Sequence, residues 1–216
     1  MSEELGKIEK PLAEEFKKGR RLYFVPLVYR SRESSAEYIE IYRKYWSQVE
    51  NQVAELELKL GKISKIYHEL IPVGGEDGFK VIKDLNEGSC QIVESRLDKD
   101  AQLEAVEESE LLTEFMDWSK CLLAGLQNQK VLTHIYESYV TASKKRSEHI
   151  ARQIDETLGA DGIGILFMTE GHQVQFSSDI QVFYVAPPAL DDINRWLRDR
   201  GIESSGEGEA GEKGSG

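Results

Sequence analysis

The residues Ile163-Gly-Ile-Leu-Phe-Met-Thr169 carry no charge and are apolar almost throughout. An uninterrupted apolar run of this length marks a β-strand covered on both faces, because a half-exposed strand alternates polar with apolar residues. A chain that contains it needs a sheet with a packing layer on each side. The rest of the sequence supplies matching parts. Arg21–Tyr29 is rich in aromatic and β-branched residues and reads as a strand, with Pro26 pointing to an edge or a bulge. Ile63–Ile71, Gln173–Phe176 and Asp179–Val185 read as further strands.

Two long helices accompany them. Ser34 and Ser35 can cap a helix that runs to Leu60, with Gly61 as its stop. Within it, Ile39, Tyr42, Trp46, Val49, Val53, Leu56 and Leu60 are spaced 3, 4, 3, 4, 3, 4, a heptad seam that suits packing on another helix, on a sheet or on a partner chain. A second helix spans 130–158, with Leu132, Tyr136, Tyr139, Ile150, Ile154 and Leu158 along its face and Ser143 and Arg146 interrupting them. Their similar length predicts an antiparallel helical hairpin. Short helices are expected near 76–85 and 89–97, and a stripe of Leu111, Leu112, Phe115, Trp118, Leu122 and Leu126 marks another. Pro187 and Pro188 open a last helix bearing Leu190, Ile193, Trp196 and Leu197. The expected fold is α/β or α+β: a small mixed sheet with two long helices (34–60 and 130–158) and several short ones. One globular domain over 1–204 is followed by a disordered Gly/Glu/Ser tail, 205–216.

Composition narrows the function classes. The 216 residues are 40% hydrophobic and 31% charged, enough for a sizeable core, and the formal charge of −12 argues against a dedicated nucleic-acid coat or a membrane-adsorbed protein. The longest apolar run near the start, Leu22–Tyr29, is too short to cross a bilayer. Two cysteines, Cys90 and Cys121, exclude a disulfide-dense scaffold and suit a reduced, cytoplasmic setting.

Five features invite a chemical reading. Glu170 and His172, with Asp179 nearby, lie beyond the buried strand, where α/β proteins place catalytic loops, and form a candidate acid–base cluster; solvent-facing turn composition explains them equally. His68 beside Glu69 occupies a similar strand end. Lys17, Lys18, Arg20, Arg21, Arg30 and Arg32 stand in a stretch without acids, interleaved with Tyr23, Phe24 and Tyr29, as an RNA-contacting surface requires. The plainer reading makes the aromatics core and the cations flanking gatekeepers. Gly74-Gly75-Glu-Asp-Gly78 has the order of a phosphate cradle but matches no nucleotide fingerprint, and Glu76 and Asp77 oppose an anion there. Lys144, Lys145 and Arg146 face a counterpart in residues 100–117, which hold seven acids and no Lys or Arg. No His or Cys spacing suits a metal, no nucleophile motif is present, and no cofactor is expected.

The stretch Ile150–Glu170, a helix, a glycine turn and a hydrophobic strand, resembles helix–strand units in the C-terminal domains of archaeal and eukaryotic-type peptide release factors. It contains no catalytic motif, and the Gly-Gly-Gln tripeptide that carries release activity is absent from this chain. The function expected from these features is a non-catalytic interaction or regulatory protein acting through long helical surfaces, by self-association or with a protein partner. The alternatives are a small hydrolase or transferase using Glu170 and His172, and RNA or ribosome contact through 17–32.

Overall fold

A computed structural model describes residues 18–210. The chain runs β1 (Arg20–Pro26), α1 (Ala36–Leu60), β2 (Lys65–His68), α2 (Gly75–Leu85), α3 (Glu87–Leu97), β3 (Gln102–Leu103), α4 (Ser109–Leu122), α5 (Gln129–Thr157), β4 (Ile163–Met168), β5 (Ile180–Tyr184) and α6 (Pro188–Ala210). The fold is α/β. The strands form one five-stranded sheet in the order β3-β2-β4-β1-β5. Every pairing is parallel, with Tyr23 of β1 opposite Ile165 of β4 and Phe183 of β5.

The apolar run is β4, and all six of its residues are buried. Its side chains divide by alternation, as a strand's must. Ile163, Ile165 and Phe167 enter a core shared with α1, α2, α3 and α6, whereas Leu166 and Met168 enter a second core under Ile150 and Ile154 of α5. β1 divides likewise, with Tyr23 and Val25 on the first face and Leu22 and Phe24 on the second.

Local chemistry sets the helix ends. The Ser35 hydroxyl accepts from the Tyr38 N–H at 3.2 Å and opens α1, and Gly61 closes it at φ 120°. Asn86 caps α3 through the N–H groups of Gly88 and Ser89, and Asn128 caps α5 through those of Lys130 and Val131. Among the described residues no helix is long and apolar enough to cross a membrane.

Three expectations are corrected. The sheet is wholly parallel, not mixed. Gln173–Phe176 forms no strand, so Glu170-Gly-His172 does not turn a hairpin; the connection from β4 instead passes β1 and delivers β5 in the same direction. The two long helices do not pair, because the sheet lies between them: the α1 seam residues Tyr42, Trp46, Val49 and Val53 bury against one face and α5 packs on the other. The hairpin partner of α5 is α4. The last helix, α6, runs from Pro188 to Ala210. Residues 211–216, and the lead-in 1–17, lie outside the described residues.

Candidate functional site

In a parallel sheet the strand carboxyl ends share one edge, and ligand crevices form where neighbouring strands send their connections in opposite directions. Here those neighbours are β1, whose connection leads toward β2, and β4, whose connection leads to β5. The crevice is filled by protein. Glu69, just beyond β2, accepts hydrogen bonds from the Tyr29 hydroxyl at 3.2 Å and the Thr169 hydroxyl at 3.0 Å, so its carboxylate ties together the chain beyond β1, β2 and β4. Arg146 of α5 lies 3.9 Å from it and donates to both oxygens of Glu107, with Nε to Oε2 at 2.9 Å. Glu107 also accepts from the Leu70 N–H at 3.0 Å, where the backbone takes a φ of 66°. The Arg146 guanidinium stands 4.7 Å from the Phe115 ring centre.

Glu69, Glu107 and Arg146 are all buried. Burial raises the Glu69 carboxyl above its ordinary value, against the lowering pull of its hydrogen bonds and of Arg146. Burial likewise raises the Tyr29 hydroxyl, and the Glu69 charge adds to it. A perturbed carboxyl in a cleft would be a catalytic candidate, but this one has no opening to a substrate: its neighbours are the side chains that satisfy it.

His68 is enclosed in the same way. Its Nδ1–H donates to the Glu69 carbonyl at 2.8 Å, so Nε2 accepts from the Ser89 hydroxyl at 3.0 Å. Desolvation pushes its pKa down to about 4, outweighing the carbonyl bond, and the ring is neutral at pH 7. The spacing is that of a nucleophile and its base, yet Ser89 and His68 are both fully buried.

The three residues of the expected acid–base cluster have three separate sets of partners. Glu170 accepts from the Tyr184 hydroxyl. His172 Nδ1 accepts from the Val174 N–H at 3.2 Å, and its ring lies between Phe24, at 4.8 Å, and Phe176, at 6.0 Å. Desolvation there lowers the imidazole pKa. Asp179 is held by Arg20 through two bonds of 2.7 Å, with Ser177 adding a third, and these keep its carboxyl well below the usual range. His172 does border a groove of about 700 Å³ between the β4–β5 connection and α5, with Lys144, Ser147 and Glu148 on the opposite wall.

The basic stretch is also divided. Arg20 and Arg21 stand at the amino end of β1, and Arg30 and Arg32 beyond its carboxyl end, roughly 20 Å away across a seven-residue strand. Arg21 is buried and donates to the carbonyls of Leu60, Asp161 and Gly19. Arg20 pairs with Asp155 and Asp179, and Arg30 pairs with Glu87. Lys18 and Arg32 are exposed, and Lys17 lies outside the described residues. Tyr23 and Phe24 are buried on opposite faces, so no stacking platform accompanies the cations. In the Gly74–Gly78 turn a Cβ at Gly78 would come within 2.3 Å of the Val73 carbonyl oxygen, so this glycine serves close packing. Among the described residues no group of three or more His, Cys, Asp or Glu is placed to hold a metal.

What the sequence reading missed is the arm formed by α4 and the first half of α5. At 1.5 Å per residue the 29 residues of α5 span about 43 Å, whereas the six of β4 span about 20 Å. Only the C-terminal half of α5 packs on the sheet, through Ile150, Ala151, Ile154 and Leu158. The N-terminal half has α4 for company: Leu112, Ile135 and Ala142 are buried between the two helices and belong to neither sheet core, and Phe115 meets Tyr139 at 5.4 Å. Part of the signal was legible, since Tyr136, Val140, Ile150 and Ile154 fall on one 4, 3, 4, 3, 4 spacing whose middle members are Ser143 and Ser147. Its lower part covers the sheet. Its upper part, Tyr136 and Val140, is exposed, together with Met116, Leu123, Leu126 and Val131 elsewhere on the arm.

Comparison of the chain with protein-family models, with curated proteins and with solved structures returns no match, so the reading of its role rests on these surfaces.

Proposed function

We propose that the protein is a non-catalytic interaction protein that holds a protein partner through the α4–α5 arm. The observation that carries this reading is the exposed pair Tyr136 and Val140, which stand on the arm in line with the sheet-packing Ile150 and Ile154, beyond the intervening Ser143 and Ser147. Exposed apolar side chains one helical turn apart suit an amphipathic helix of the partner, laid along the arm as a third helix. The α1 seam no longer supports an interface, since it lies against the sheet.

The test is a Tyr136→Lys/Val140→Lys double variant of the full chain. Both positions are exposed, so its thermal midpoint should stay within about 0.5 kcal/mol of stability from the parent. Proteins that co-purify with the parent at fixed stoichiometry should be lost from the variant. An unchanged set of partners would refute the arm as the contact element.

The catalytic alternative has one observation in its favour, the groove beside His172. It requires that His172→Ala abolish a turnover with little change in folding stability. A variant as active as the parent would end that reading.

A further inference from the structure

The two edges of the sheet are built differently. β3 is only two residues long, the usual way of making an edge unattractive to another strand. β5 is five residues, Ile-Gln-Val-Phe-Tyr, without a charge, a proline or a bulge. Among the described residues nothing pairs with its outer side. The Val185 N–H donates to the Phe24 carbonyl at 2.8 Å, which directs the N–H and C=O of 181, 183 and 185 toward β1. By alternation those of Val182 and Tyr184 face outward. Their side chains share one face of the sheet and are 43% and 53% exposed, in a position where α5 gives no cover.

We propose that β5 is the contact between two copies of this chain, paired antiparallel about a two-fold axis at Val182. The register makes the strand its own complement. Val182 meets Val182 of the second copy and exchanges both backbone hydrogen bonds with it, Ile180 meets Tyr184, and Gln181 meets Phe183. The five paired residues carry no charge, so a second copy of a chain of net charge −12 meets no like charge within the strand pairing itself; Asp179 falls opposite Val185 and is already held by Arg20. The two sheets join into one of ten strands. A five-residue edge, about 17 Å long, buries less than a standard interface, so the association belongs to the weak class with Kd in the micromolar range. Because the contact is apolar and backbone-mediated, added salt does not weaken it.

Sedimentation equilibrium of the full chain tests this. At about 100 µM, well above a micromolar Kd, the expected mass is twice 24.5 kDa. Val182→Lys and Val182→Glu each set like charges across the axis and should each sediment as monomers. An equal mixture of the two should recover the dimer, because Lys then faces Glu. Amide exchange of the parent chain gives a readout without substitution: protection at Val182 and Tyr184 should rise with protein concentration. A parent chain that stays monomeric at that concentration overturns the proposal. So does a dimer that survives both single variants, or an exchange rate at these two amides that is independent of concentration. Recovery of a heterologous strand in place of the second copy would also overturn it. The Tyr136→Lys/Val140→Lys variant should dimerise like the parent, which separates this proposal from the role of the arm.

Discussion

A single imidazole ties acid sensitivity to the carboxyl edge of the sheet. His68 is neutral in the native state with a pKa of about 4, whereas in the unfolded chain it returns to about 6.5. Between those values the unfolded state binds the extra proton, so stability from this group is complete above pH 6.5 and falls as the pH is lowered toward 4. The full loss is roughly 3 kcal/mol, and more than half of it is gone by pH 5. Replacing His68 by Gln should flatten the difference in urea stability between pH 7 and pH 5; an equally steep dependence in the variant would contradict the assignment. Arg146 offers a second test. Arg146→Met leaves Glu107 buried without its cation and should cost about 3–5 kcal/mol, while Arg146→Met with Glu107→Leu should recover most of that. Thermal and denaturant unfolding of the single and double variants measure both. Gly88 is fixed by contact, since a Cβ there would come within 2.2 Å of the Trp46 indole.

At the scale of elements the two long helices have opposite vulnerabilities. Trp46 and Val53 of α1 are core, so Trp46→Ala should cost about 3–5 kcal/mol and Val53→Glu should unfold the chain, as circular dichroism would show. The arm is bound to the body mainly where Arg146 and Glu107 lock its root. Its amides should exchange faster than those of α1, and Val131→Lys should leave the midpoint nearly unchanged. Much of this was legible in the sequence: the ends of α1 follow from Ser35 and Gly61 and those of β4 from the apolar run, and the span 130–158 read for the second long helix lies within one residue of α5 at each end. β3 was not, because two residues carry no periodicity. The partnership of α5 with α4 was hidden for a different reason. An amphipathic stripe shows that a helix packs, but not which side of a sheet receives it.

At the scale of the molecule, the parallel sheet follows from long connections that carry helices, and the sequence reading went astray where one connection carries none. Glu170, His172 and Asp179 are close in sequence, yet each has its own hydrogen-bond partner: Tyr184, the neighbouring Val174 and, from the far end of the chain, Arg20. Glu69, Glu107 and Arg146 are far apart in sequence and meet in space. Proximity along a chain is a poor guide to a site assembled from the ends of separate strands.

The strand order also sets a timetable for biosynthesis. β1 emerges from the ribosome first, but both of its neighbours, β4 and β5, are the last strands to be made. At about 5–20 residues per second, the interval between Pro26 and Ile163 is roughly 7–27 s. For that time the segment Leu22–Val28, buried throughout in the finished protein, has no sheet to join. A nascent chain arrested before Ile163 should therefore be protease-sensitive along its whole length and engage chaperones at β1, and release past Tyr184 should end both together.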